Sequence, residues 1–540
     1  MKKPRRAFIL FILMGIGVGC MGPPPTDTPT RVSITDSEGA EEETISLAQG
    51  MTHRLYSGVY VADVVGERYI GVADGKDFLS DNEFSVVKND PTSDPTVIDL
   101  KPNGCVVAKK SGIAKVRFST FSLKAGMLKT IATIQVKDAV VQPIGLKTGV
   151  KDFSVSELRD AVGIKYGMAL DNKFFLVPET VSQTLADSEG IAIESSGTAK
   201  LPTLWADQLR GGFFVGYGKD VSGKDRLSYM MVDSKGTRVP GAFSALTDVD
   251  LKRIYGGQLR NSVPVTLALS KLKDKEELGM FGFIGSLTPS QSINAGFLGG
   301  IEFPLFPDSE LDRSVQFSKD PYGGMHFAAG AFINHPDSTD ANKIETVNQL
   351  KIIYYGDAGL KIETPAGMTV DRAFAFAFDA SGEYPRVIFI QSKNLLFSQR
   401  LGGWVLAFRV VDFDVDETFS PRLLSNSEDG TLVALWKNGG ILKVKMSLDG
   451  GATWSEAMSL VNVAVLDAEL IPLPCGGTGL LTVESSGVNL RFIDSTQKQF
   501  SAPVSISSTA VKKIKMFRHG RNIRIFYLNQ NGGLHLVRIL

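Results

Sequence analysis

Residue types that bind metals or act as nucleophiles are few in this chain of 540 residues, which holds five histidines and three cysteines. Val411-Asp412-Phe413-Asp414-Val415-Asp416-Glu417 alternates acid with apolar. On a strand, Asp412, Asp414 and Asp416 would project to one face, a stripe that suits a hard cation such as structural calcium. The glycine and distal glutamate of a calcium-binding loop are missing, so a solvated polar face is the plainer reading and no metal or cofactor is assigned. His326 and His335 stand nine residues apart, which is not zinc-ligand spacing. Cys105 and Cys475 fall in different modules, so they offer no metal or redox pair, and a disulfide between them is not expected. No phosphate-binding loop, dinucleotide fingerprint or nucleophile elbow occurs, and no catalytic residue is assigned.

Cys20 offers a different chemistry, a thiol to be acylated. Lys2, Lys3, Arg5 and Arg6 precede an apolar run over 7–18, and Gly17-Val18-Gly19 leads into Cys20. The run is too short to span a bilayer and has the layout of a secretory signal. The junction resembles the bacterial lipobox. That resemblance implies cleavage after residue 19, acylation of Cys20 and a lipid anchor in the cell envelope. Met21, where an aspartate would favour the inner membrane, points to the outer membrane or cell surface. An ordinary signal peptide with an incidental cysteine is the alternative. The whole chain balances 58 basic against 58 acidic residues, but losing residues 1–19 leaves 54 against 58, a net of −4. A nucleic-acid partner is not expected from such a balance. Residues 20–43, with four prolines and an acidic run over 36–43, read as a solvated tether.

Over 44–138 short apolar alternations are broken by turns such as Lys101-Pro102-Asn103-Gly104 and Ser111-Gly112, a pattern that predicts a small β-sandwich. Gly50-Met51-Thr52, Ser93-Asp94-Pro95-Thr96-Val97, Gly104 through Ala108 and Gly112 through Val116 resemble the bacterial immunoglobulin-like group 2 domain, with 60–90 as an insertion. The resemblance implies a spacer or adhesion module.

From 140 to 540 the chain repeats. Hairpin turns end at 394, 440, 487 and 533, a period of about 46 residues, and one step back gives Asn348. Four-stranded antiparallel units at this spacing predict a β-propeller of seven or eight blades, with a strand from 140–160 completing the last one. The fold class is therefore all-β. Phe374, Phe376 and Phe378 alternate with alanines, as on a strand packed between blades. Ser447-Leu448-Asp449-Gly450-Gly451-Ala452-Thr453-Trp454 matches S-x-D-x-G-x-T-W, which resembles the Asp box of bacterial neuraminidase repeats, a motif of sialidases and of non-enzymatic propellers. It implies structural roles for Ser447, Asp449, Gly451, Thr453 and Trp454: the aspartate capping a tight turn, and the tryptophan opening the outer strand over the hairpin. A sialidase would also need an arginine triad. Its first arginine lies in F/Y-R-I-P, and Lys252-Arg253-Ile254-Tyr255 lacks both the aromatic and the proline, so no catalytic residue carries over. The expectation is a non-catalytic propeller binding a glycan or protein, with a divergent sialidase-like hydrolase as the alternative. The ligand site is sought between 250 and 350, where the loop 334–348 is long.

Overall fold

The computed structural model describes residues 29–539, apart from 37–39, 64–65, 73–82, 123, 161–162, 195–198, 208–210, 259–263, 272–276, 288–292, 305–314, 320–324, 337–343, 357–358, 364–373, 379–384, 401–407, 418, 427–428, 495–498 and 520; most side chains from 240 to 373 also fall outside the described set. The described residues form strands and two short 3-10 turns, Asp187–Glu189 and Pro474–Gly476. Cys20 lies outside the described residues.

The N-terminal module has its own sheets. Thr44–Ala48 pairs in parallel with Gly126–Lys137, which pairs antiparallel with Gly112–Ser122 and through it with Glu83–Val86. Facing it, Cys105–Ala108 lies between Thr52–Arg54 and Ile98–Leu100. Period-2 alternation explains the burial: Ala114, Val116 and Phe118 point inward while Lys115 and Arg117 alternate with them. The tether reading is corrected for 29–36 and 40–43. Pro29–Thr35 is a strand paired with Tyr56–Asp63, which in turn pairs with Gly66–Val72. Arg31-Val32-Ser33-Ile34 alternates like any half-buried strand and sends Val32 and Ile34 into the core, a signal hidden between prolines and acids. The acids are used too: Glu41 pairs with Arg31 at 2.6 Å, and Glu42 pairs with Arg521 of the propeller.

Among the described residues, eight blade-like units follow, over 153–192, 200–249, 250–304, 315–363, 374–412, 422–460, 465–507 and 511–539; most have four strands, and the seventh gains a fifth, Val504–Ser507. The second and third share one continuous strand, Arg238–Gln258, whose two halves pair with different partners. The first strands of neighbouring sheets pack together, as Phe374–Phe378 does against both Val315–Lys319 and Arg422–Ser425, so these strands line the axis of a propeller. The eighth blade takes its outer strand from the start of the array: Val141–Lys147 pairs with Leu534–Ile539. The two ends of the repeat array thus share one sheet, with Val141–Lys147 as its outer strand.

The blades adhere through their faces. Phe374 and Phe376 pack with Leu350 of the fourth blade, while Ala375 on the other face joins Trp436 of the sixth. Phe153, Tyr166 and Phe175 of the first blade pack with Phe526 and Leu536 of the eighth, closing the array on itself. Each such fully buried aromatic or aliphatic side chain contributes about 1.5–3 kcal/mol. The expected turns at 394, 440 and 487 are the tight connections between second and third strands, with Ser392, Lys393, Gly439 and Gly440 at positive φ. The step back to Asn348 was misplaced: Asn348 lies inside the strand Ile344–Gly356, opposite Phe332. Most of the loop expected over 334–348 is therefore strand, because its polar residues occupy ladder positions, and only 337–343 lie outside the described residues.

Cys105 and Cys475, expected to stay apart, form a disulfide. The turn Pro474–Gly476 joins the first two strands of the seventh blade and reaches the module, with Cys475 at φ +63°. The two modules also share one continuous core, from Ile45, Val106 and Phe118 to Leu481, Phe492 and Ile525.

Candidate functional site

Where the Asp box lies, the chain turns sharply after the strand Ile441–Ser447. Asp449 accepts from the Thr453 backbone N–H at 2.8 Å, the Thr453 hydroxyl at 2.7 Å and the Ser447 hydroxyl at 2.8 Å, and Ser447 accepts from the Gly451 N–H at 2.7 Å. These donors, the Thr453 N–H first, lower the Asp449 carboxyl to a pKa of about 2. Gly451 has φ +93°, and a Cβ there would meet Phe397 of the fifth blade at 2.2 Å. Trp454 does not open the outer strand, which begins at Met458; it packs edge-on against Phe397 with ring centroids 5.5 Å apart. Arg409 of the fifth blade donates to the Gly451 carbonyl at 2.6 Å. The box thus holds a peripheral turn against the neighbouring blade. The seventh blade keeps part of the device: Ser501 exchanges hydrogen bonds with the Phe492 backbone as Ser455 does with Met446, one repeat period earlier.

Asp412, Asp414 and Asp416 do not form a stripe. The strand Arg409–Asp412 ends at the first of them, and Asp414 has φ +51°, so the alternation that would align them is broken. Asp412 accepts from the Trp436 indole at 2.8 Å and lies 3.4 Å from Lys443. Burial pushes its carboxyl up, but the Trp436 and Phe413 N–H groups and the nearby lysines hold it below the ordinary range. Asp416 accepts from the backbone of Gly439 and Gly440. Among the described residues no cluster of metal-ligating side chains occurs. His326 and His335 sit on the strand Met325–Pro336, and Arg253 on Arg238–Gln258; their side chains lie outside the described set.

Among the described residues, charged side chains gather along the axial strands of blades six, seven, eight and one. Arg422 donates to the Ala468 carbonyl at 3.2 Å, to Ser420 and Pro421 carbonyls, and to Asp467 at 3.0 Å. Arg518 donates to the Pro472 carbonyl at 2.7 Å, and Arg159 to the Arg518 carbonyl at 3.1 Å and to Glu157 at 2.6 Å. Lys515 stands 3.6 Å from Glu469. Glu469 keeps 28 % of its side-chain surface, yet the protein packed around it pushes its carboxyl up. Each of the three arginines reaches the backbone of an adjacent blade. The sequence did not single them out, although the bonds from Arg422 and Arg518 both span 46 residues, the repeat period itself.

At the junction, Thr52 donates to the Pro474 carbonyl at 2.6 Å, and His53 lies 3.6 Å from Glu42. Two clefts open beside it, of about 210 Å³ by Gln49, Lys109 and Ser501, and about 290 Å³ by Asp138, Val141 and Pro503.

No protein-family model matches the chain, and no curated protein matches it. Solved structures do resemble it. The Dos1 propeller is 12% identical with a TM-score of 0.44, over 74% of this chain and 94% of that one. The NanB sialidase of Streptococcus pneumoniae is 10% identical with a TM-score of 0.34, over 95% and 92%. The Aleuria aurantia lectin is 11% identical with a TM-score of 0.30, over 58% and 97%. The propeller assignment rests on the sheet order and closure described above.

Proposed function

We propose that the chain is a lipid-anchored protein of the cell envelope, held through Cys20 in the outer membrane or at the cell surface. In this reading the immunoglobulin-like module is a spacer, and the propeller is a non-catalytic platform for a glycan or protein partner. The observation that carries the binding reading is the state of the axial arginines. A carboxylate-binding triad needs open guanidinium forks, whereas Arg422, Arg518 and Arg159 hold neighbouring blades through carbonyl and carboxylate acceptors. The Cys105–Cys475 disulfide fits an oxidising compartment outside the cytosol. A glycan array probed with the whole mature chain tests the partner class; binding to neither glycans nor envelope proteins ends this reading. Palmitate labelling that disappears in Cys20→Ser tests the anchor.

The alternative, a divergent glycoside hydrolase, has one observation in its favour: Glu469, a carboxyl with a raised pKa on an axial strand, close to Asp467. Turnover of a fluorogenic sialoside that is lost in Glu469→Gln would establish it, and no turnover by the unchanged chain would remove it.

A further inference from the structure

The hairpin of Gly112–Ser122 and Gly126–Lys137 carries charge of one sign only. Its 26 residues hold Lys115, Arg117, Lys124, Lys129 and Lys137 and no acid, in a mature chain that is acidic overall. Lys115 is paired with Asp90 at 2.7 Å. For Arg117, Lys124, Lys129 and Lys137 no ion pair occurs among the described residues. Among the described residues, acids on the same face include Asp90, taken up by Lys115, and Glu83, opposite Ser119 on the neighbouring edge strand.

The face is also apolar where it should be wet. The register sets Met127 opposite Phe121, Ile131 opposite Arg117, and Gln135 opposite Ile113. The inward set, Ala114, Val116, Phe118, Ala132 and Ile134, is buried. The outward set is not: Met127 is 56 % exposed, Ile131 50 % and Ile113 40 %. A solvated outer sheet face ordinarily carries polar residues at such positions. Apolar side chains interleaved with lysine and arginine are the composition of surfaces that rest in the headgroup region of a bilayer.

Position agrees with composition. The strand by which the chain enters the module, Pro29–Thr35, packs against Gly126–Lys137, the strand that carries Met127, Lys129 and Ile131. Residues 21–28 separate that strand from Cys20, a span of at most about 30 Å when fully extended. An acylated Cys20 would hold this face within reach of the lipid surface.

We propose that the outer face of this hairpin docks on an anionic bilayer surface, so that the module orients the propeller instead of merely spacing it. The proposal rests on the lipid-anchor reading for its geometry, and its test does not use the anchor. The mature chain carrying Cys20→Ser is co-sedimented with vesicles of phosphatidylcholine, with and without phosphatidylglycerol, at low and high salt. Binding is expected to the anionic vesicles and to fall with salt. Arg117→Ala and Lys129→Ala should each lower the partition about fivefold, and the double change Met127→Asp, Ile131→Asp about tenfold or more. These residues are exposed or at the surface, so unchanged circular dichroism and thermal midpoints should accompany the loss. Equal binding to both vesicle types, or none to either, overturns the proposal. Salt-sensitive binding that survives the Met127/Ile131 change would show that this face is not what meets the bilayer and overturn it equally. Failure of palmitate labelling would strike the anchor alone, since vesicle binding by the unacylated chain is read independently.

Discussion

Cys105 and Cys475 are bonded across 370 residues, tying the strand Cys105–Ala108 of the N-terminal module to the turn Pro474–Gly476 of the seventh blade. Around the bond the backbones come close: a Cβ at Gly477 would meet the Thr52 hydroxyl at 2.1 Å, and one at Gly50 would meet Ser501 at 2.7 Å. With a common core behind it, this junction makes module and propeller one unit. Cys105→Ser or Cys475→Ser should lower stability by about 2–5 kcal/mol, because the closed loop restricts the unfolded chain. Urea unfolding of the variants against the oxidised chain checks this, and an unchanged midpoint would show the bond to be dispensable.

The pairing of Val141–Lys147 with Leu534–Ile539 has a consequence for truncation. Removing residues 1–147 takes away Val141–Lys147 and leaves the strand Leu534–Ile539 as an open edge. That fragment should self-associate, while the whole mature chain stays monomeric in the same sedimentation run.

Gly451 is fixed by two independent constraints, its φ of +93° and the Phe397 ring. Gly451→Ala should destabilise by about 2–4 kcal/mol through backbone strain and overpacking. Gly440, at φ +77° with open space around it, should lose only about 1 kcal/mol on the same change. Thermal melts of the pair separate packing from backbone strain.

Asp449 makes a pH-dependent contribution. Its folded pKa of about 2 lies below the ordinary 3.8, so the folded state favours the ionised form. The stabilisation is complete above the ordinary value and is lost as pH falls from there toward 2. Asp449→Asn should therefore weaken the fold at pH 7 and flatten the decline between about pH 4 and 2 relative to the unchanged chain. Denaturant titrations at both ends of that window give the difference.

At the seam between blades eight and one, Arg524 is buried and pairs with Glu179 at 2.7 Å, and Arg538 donates to the carbonyls of Glu179 and Val181. Arg524→Met should cost about 1–3 kcal/mol, reduced from the fully buried case because Glu179 keeps some solvent. Hydrogen exchange faster in 153–192 than in 422–460 would place the loss at the seam; uniform acceleration would count against it.

Period and alternation belong to the sequence. The 46-residue spacing of turns, the glycines at 439 and 440, and the alternation of Phe and Ala over 374–377, all four buried, follow from local rules: turn chemistry, the two-residue pleat and the need to cover both faces of each blade. The hydrogen-bonded turn around Asp449 is equally local, because its partners lie within four residues. What only the tertiary structure decided is what meets across blades and modules. No local pattern relates Cys105 to Cys475 or Arg422 to Ala468. It also could not show that Asp412 serves the Trp436 indole instead of a cation stripe, because a single residue at positive φ, Asp414, ends the strand. Contacts between distant segments depend on how eight sheets close, and closure is a property of the assembled ring that the sequence of one repeat does not contain.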